Sequence, residues 1–267
     1  MLLAVDIGNT NITLGVFEGE RLAARWRLET DTRRQPDEYA LQLQGLLPLK
    51  SVAMADVDAV AVCSVVPPLT AGLVEVCRTL FRAEPLVMGA GTKTGVRVLY
   101  DPPRDVGTDR VVDAAAALAL YGGPAIVVDF GTATVFDAVS SDGAYLGGAI
   151  APGLDVAAES LFQRTAQLRR VELAAPPTAI GRNTVHAMQS GFVYGYAGLV
   201  EAMVSRFRAE LGCPDAQVIA TGGLATLMSG LVEAIGVVDQ DLTLKGLRHI
   251  FTLNAAAALG SLGGGTA

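Results

Sequence analysis

The chain has 267 residues, 51% hydrophobic and 18% charged, which excludes intrinsic disorder and allows one large domain or two of ordinary size. Lys and Arg number 20 against 27 Asp and Glu, a formal charge of −7, and the pI near 4.9 argues against the basic face of a nucleic-acid protein. No uninterrupted apolar stretch reaches the ~18 residues of a membrane span, and no charged start followed by an apolar run marks a secretory leader.

The expectation is therefore a cytoplasmic protein with neither a membrane nor a nucleic-acid partner. Cys63, Cys77 and Cys213 are widely spaced and odd in number, as in a reducing compartment. Cys63, inside the apolar run 59–63, reads as core. His186 and His249 have no Cys or carboxylate at metal-ligand spacing, so neither a zinc site nor a Cys/His nucleophile is expected.

Leu2 to Val5 reads as a buried strand that runs into Asp6-Ile7-Gly8-Asn9-Thr10-Asn11. Ile12 to Phe17 forms a second strand, Glu18-Gly19 a turn, and Arg21 to Leu28 a third strand. Val57 to Val66 is a fully buried strand, and Pro67-Pro68 opens a helix over 69–81. Pro85 to Met88 is a short strand. The glycine-rich Gly89 to Gly95 lacks both the Gly-Lys-Ser/Thr ending of a P-loop and the G-x-G-x-x-G spacing, and reads as a loop. Thr108 is placed as an N-cap before a helix over 110–121, which Gly122-Gly123-Pro124 ends.

The opening pattern then recurs. Ala125 to Val128 is a buried strand ending in Asp129-Phe130-Gly131-Thr132-Ala133-Thr134. A strand over 135–139, an Asp142-Gly143 turn and a strand over 144–150 follow. Thr184 to Glu210 is one long helical pattern, Gln217 to Ala220 a strand running into Thr221-Gly222-Gly223, and Leu244 to Leu259 a closing Ala-rich helix. Asp6 and Asp129 lie 123 residues apart, near half the chain. Two similar α/β lobes are predicted, 1–122 and 123–267, with the two carboxylates facing one another across a cleft.

In Asp6 to Thr13, Gly8 lets the backbone approach a ligand, and the following residues offer hydroxyls, amides and successive N–H groups suited to phosphate oxygens. Asp6 at the strand end could hold a divalent cation directly or through water. One such turn could be only a hairpin capped by its own Asp, but a second copy argues for a metal–nucleotide site between like charges. The Thr221-Gly222-Gly223 turn could pack against a base or ribose, or simply open a helix. Asp109 could orient a substrate hydroxyl beside the fixed charge of Arg110, with Tyr100 adding a hydroxyl. The alternative is a capping Asp and a surface Arg. The helix from Thr184 mixes aromatic residues with glycines, a surface for a second helix of this chain or another.

D-I-G-N-T-N at 6–11, G-T-D-R at 107–110, V-D-F-G-T-A-T at 128–134 and G-G-A-I-A-P-G at 147–153 together resemble the type III pantothenate kinases, over essentially the whole chain. The first motif alone is shared with the wider acetate and sugar kinase/Hsp70/actin superfamily. The resemblance implies duplicated ribonuclease H-like (actin-like) lobes, each a mixed sheet with flanking helices. It implies transfer of the ATP γ-phosphoryl group to the primary hydroxyl of pantothenate, the first step of coenzyme A synthesis. Asp6, Ile7, Gly8, Asn9, Thr10, Asn11, Ile12 and Thr13 then match the ATP phosphate loop, and Thr132 a further ATP contact. Asp129 matches the ligand of a monovalent cation (K+ or NH4+). Tyr100, Gly107, Thr108, Asp109, Arg110 and Thr184 match the pantothenate contacts, with Asp109 accepting the proton. ATP with a divalent cation such as Mg2+ and a homodimer complete the implication. The competing readings are a superfamily kinase or phosphatase for another small molecule and a nucleotide-sensing regulator without turnover.

Overall fold

Both halves of the chain fold along the same path. A computed structural model of the chain describes residues 1–165 and 168–263, and the chain divides into two compact units. Unit 1 comprises Met1–Ala119 and the chain from Leu242 onward; unit 2 comprises Leu120–Asp241. The division differs from the expected 1–122 and 123–267 in that the chain from Leu242 onward joins unit 1.

In unit 1, β1 (Leu2–Ile7), β2 (Asn11–Glu18) and β3 (Arg21–Glu29) form an antiparallel meander. β4 (Ala59–Ser64) and β5 (Leu86–Val87) add in parallel on the other side of β1, giving the order β3-β2-β1-β4-β5. β1 and β4 are nearly continuous in buried residues because helices cover both sheet faces. On one face α1 (Pro36–Leu46) and α2 (Pro67–Phe81) bring Tyr39, Leu43, Leu69 and Leu73 onto Leu3, Val5 and Val60. On the other, α3 (Thr108–Tyr121) and α8 (Leu242–Gly263) bring Val112, Ala115, Leu244 and Leu247 onto Leu2, Ala4, Ala61 and Cys63. That packing is why the last helix belongs to unit 1. The Gly89–Gly95 stretch is a loop, followed by the short strand β6 (Arg97–Val98).

Unit 2 repeats the meander as β7 (Ala125–Phe130), β8 (Ala133–Val139) and β9 (Ala144–Pro152). β10 (Gln217–Gly222) and β11 (Val237–Val238) run parallel to β7, giving β9-β8-β7-β10-β11. Leu154 of α4 (Leu154–Arg164), Val200 and Val204 of α6 (Gly195–Glu210) and Met228 of α7 (Ala225–Ser229) pack on Ile126, Val128, Val218 and Ala220. The two meanders, each with parallel strands joined to its first strand, bear out the duplicated α/β architecture.

Four local readings change. The strand placed at 57–66 narrows to β4, because a 3-10 turn over Met54–Asp56 delivers Val57 and Val65-Val66 lead into α2. α1 opens on Pro36 with Asp37 and Glu38 in its first turn and a Gln35–Glu38 capping box, a start signal that the sequence reading passes over, whereas α4 has no side-chain cap. α3 begins at Thr108 itself, whose hydroxyl bonds outside the helix and does not cap it. The long helix from Thr184 is three pieces: α5 (Thr184–Gln189), a π-helical turn over Ser190–Tyr194, and α6. At that turn Ser190 and Tyr194 reach out to the carbonyls of Ala179 and Pro176, a local tie that accompanies the widened backbone.

Candidate active site

The first predicted motif forms the β1–β2 hairpin. Asp6 pairs with Thr13 and Ile7 with Ile12, so the chain reverses through Gly8 to Asn11. The Gly8 amide donates to the Asn11 carbonyl at 3.0 Å. Asn9, Thr10 and Asn11 are exposed at the tip, while Ile7 and Ile12 are buried beneath it. Polar donors thus sit on a rigid base, at the carboxyl end of β1.

The second motif is tied to the same end of the same sheet. β4 is parallel to β1 and sets Cys63 beside Asp6. At the end of β4, the Thr108 hydroxyl donates to the Ser64 carbonyl at 3.0 Å and accepts from the Cys63 thiol at 3.2 Å. Gly107 to Arg110 is therefore fastened to the strand next to Asp6, outside the carboxyl ends of two parallel strands, where open α/β sheets bind ligands. Burial pushes the Cys63 thiol far above its ordinary pKa, and the negative charges of Asp6, Asp109 and Asp113 push it further, against the Thr108 hydrogen bond. The thiol therefore stays protonated, as the core reading requires.

Asp109 leans back over Gly107: a Cβ there would collide with its Oδ1. Its Oδ1 accepts from the Arg110 amide at 2.8 Å. Burial raises the Asp109 pKa, opposed by that amide and by the Arg110 charge. Arg110 is not on the surface, being only 9% exposed, and its guanidinium lies 5.8 Å from the centre of the Tyr100 ring. Tyr100, Asp109 and Arg110 thus form one group: a carboxylate with raised proton affinity beside a fixed, partly desolvated cation. Such a pair can hold an anionic substrate and take a proton from its hydroxyl.

In unit 2, Asp129 stands at the end of β7 and pairs with Val135 across the hairpin and with Thr221 of parallel β10. Thr132 is exposed at the tip. The Asp129 carboxylate lies against Gly222, which has φ +86°, and near Gly131. The third glycine turn therefore supports the acid, a role its sequence did not reveal. Thr184 opens α5, where the Asn183 side chain caps the helix by accepting from the His186 amide at 2.9 Å. Thr184 lines an open groove of about 740 Å³ with Leu161, Arg182, Met188, Phe192 and Tyr196.

Of the sequence-predicted residues, Asp6 to Thr13, Tyr100 and Gly107 to Arg110 fall in unit 1, and Asp129, Thr132 and Thr184 in unit 2. Asp113, 5% exposed one turn along α3 from Asp109, was missed; the i, i+4 spacing was the available signal. Among the described residues no cluster of three or more His, Cys, Asp and Glu side chains could hold a metal. A donor set limited to Asp6 and hairpin groups fits Mg2+, which keeps its waters and is ordinarily shared with substrate phosphates. No described helix is long and apolar enough to cross a membrane.

The family model and the curated relatives agree on one family. The family model for type III pantothenate kinase matches residues 2–206. A type III pantothenate kinase of Myxococcus xanthus is 52% identical over 257 residues, covering 96% of this chain and 100% of the relative. Among solved structures, a Campylobacter jejuni protein described as a Baf family transcriptional activator aligns with TM-score 0.61 at 18% identity, over 95% of this chain and 99% of its own. An inorganic polyphosphate/ATP-glucomannokinase from Arthrobacter sp. strain KM aligns with TM-score 0.50 at 14% identity, over 95% and 98%. At such low identity these two speak for the fold alone, the duplicated actin-like arrangement of mixed sheets. The family match across both motif-bearing units, and a relative half identical from end to end, carry more: this chain belongs to the type III pantothenate kinase family.

Proposed function

We propose that this chain passes the γ-phosphoryl group of ATP to the primary hydroxyl of pantothenate, giving 4'-phosphopantothenate, the first step of coenzyme A synthesis. The observation that supports the reading is the tie of the Gly107–Arg110 segment, through the Thr108 hydroxyl, to Cys63 and Ser64 of the strand that pairs with Asp6. Asp6 to Thr13 and Thr132 take the nucleotide, and Asp6 holds a divalent ion through water. Bound there, such an ion would supply positive charge to the phosphates. Arg110 and Tyr100 orient pantothenate, with Thr108 and Gly107 shaping the segment and Thr184 adding a contact. Asp109 orients the hydroxyl and accepts its proton late. Phosphoryl transfer commonly passes through a loose transition state, so positioning and charge matter more than a strong base. Asp129 holds a monovalent cation, potassium or ammonium, through oxygen donors.

The enzyme works in the cytoplasm, which suits its unpaired cysteines. ATP consumption should depend on added pantothenate and be faster in potassium than in sodium. Turnover without pantothenate would mean another acceptor, and ATP binding without turnover would mean a regulator. We also take the working form to be a homodimer, as the family resemblance implies. Light scattering should give about twice the 27.6 kDa chain mass at micromolar concentration, and a monomer alone would refute it.

A further inference from the structure

Thr30 follows β3 directly and belongs to none of the motifs above, yet both of its hydrogen bonds end on the tip of the β1–β2 hairpin. Its hydroxyl donates to the Gly8 carbonyl at 2.7 Å, and its amide donates to the Thr10 carbonyl at 3.0 Å. The Gly8–Asn9 peptide is planar, so its C=O and N–H point in opposite directions. Holding the Gly8 carbonyl toward Thr30 turns the Asn9 N–H away from Thr30, and Asn9 itself is exposed. The anchor is itself held. The amide of the next residue, Asp31, donates to the Tyr39 hydroxyl at 3.2 Å, and that hydroxyl donates to the Asp31 carbonyl at 3.0 Å. Tyr39, on the buried face of α1, is 1% exposed. A continuous chain of bonds therefore runs from a buried tyrosine to the hairpin tip.

We infer that Thr30 is a positioning residue for phosphoryl transfer, fixing the Gly8–Asn9 peptide so that its N–H meets a phosphate oxygen of the nucleotide. The inference rests on the reading of Asp6 to Thr13 as the phosphate hairpin. A preset donor spares the enzyme the cost of ordering the tip when ATP arrives. The residues assigned to pantothenate, Tyr100, Gly107 to Arg110 and Thr184, do not include this peptide, so pantothenate binding should not depend on Thr30.

The test compares Thr30→Val, which keeps the shape and removes the hydroxyl, with Thr30→Ser, which keeps the hydroxyl. Thr30→Val should raise KM for ATP about tenfold, leave KM for pantothenate within about twofold, and Thr30→Ser should restore ATP use to within about threefold of wild type. If Thr30→Val does not fold, Thr30→Ala carries the same expectation. An unchanged KM for ATP, equal rises in both KM values, or a Ser variant as impaired as the Val variant would overturn the inference. Calorimetry with ATP separates two failures. If wild type binds no ATP, the hairpin reading itself is lost. If wild type and Thr30→Val bind it equally, only the role of Thr30 is lost.

Discussion

Asp109→Asn should lower kcat by about 100-fold or more while leaving the melting temperature unchanged or raised. The amide keeps the shape of the carboxylate and can still accept from the Arg110 N–H, so the start of α3 should hold. What is removed is the charge and the capacity to take a proton. Burial raises the Asp109 pKa in the folded protein. The cost of ionising it is therefore absent below the unfolded pKa and grows as pH rises through the folded one. At neutral pH the native enzyme bears that cost and the variant does not, hence no loss of stability. The same shift sets a pH dependence. A base works when deprotonated, so wild-type kcat/KM should fall on the acid side at a pH above the ordinary carboxylate range. The variant should show a flat profile there. A variant with activity within a few fold of wild type would remove Asp109 from proton transfer, and a fall in melting temperature would make its role structural.

Gly222→Ala should destabilise the protein by about 3 kcal/mol, from a left-handed alanine at about 1–2 and an overpacked contact at about 1–3. With φ +86°, its Cβ would lie 2.6 Å from the Phe130 carbonyl oxygen and would collide with Asp129 Oδ1. The backbone oxygen cannot move without opening the β7–β10 ladder, where Gly222 pairs with Phe130. The carboxylate is the softer neighbour and should swing away. Thermal melting should thus drop by roughly 6–12 °C, and the stimulation by potassium that we assign to Asp129 should need more potassium. An unchanged melting temperature would show that the turn has room, and full activity at unaltered potassium would separate Gly222 from the cation.

Much of this was legible in the chain because it is written locally. A two-sided apolar run followed by Asp-x-Gly is a strand and a turn whatever surrounds it, and it occurs at both 6 and 129. Order of elements and repetition then gave the lobes, and the motif set gave the family. The misses differ in cause. α1 has a start signal, Pro36 followed by Asp37 and Glu38, that the sequence reading passes over, whereas α4 has no side-chain cap and is held by packing partners distant in sequence. The break at Ser190–Tyr194 depends on side-chain bonds to residues 11 and 18 positions earlier.

Sequence by itself determined which chemical groups the protein owns, the repeated strand–turn–strand unit that presents its acids, and its kinship. Tertiary structure alone decided that Arg110 is buried, that Thr108 is bonded to β4, that Gly222 backs Asp129 and that Thr30 holds Gly8. The last three join residues from about 20 to more than 90 positions apart, and they meet only when strands pair and helices close over them. Local preference cannot register such a meeting, because the energy that fixes it comes from burial and bonds that exist only in the assembled fold.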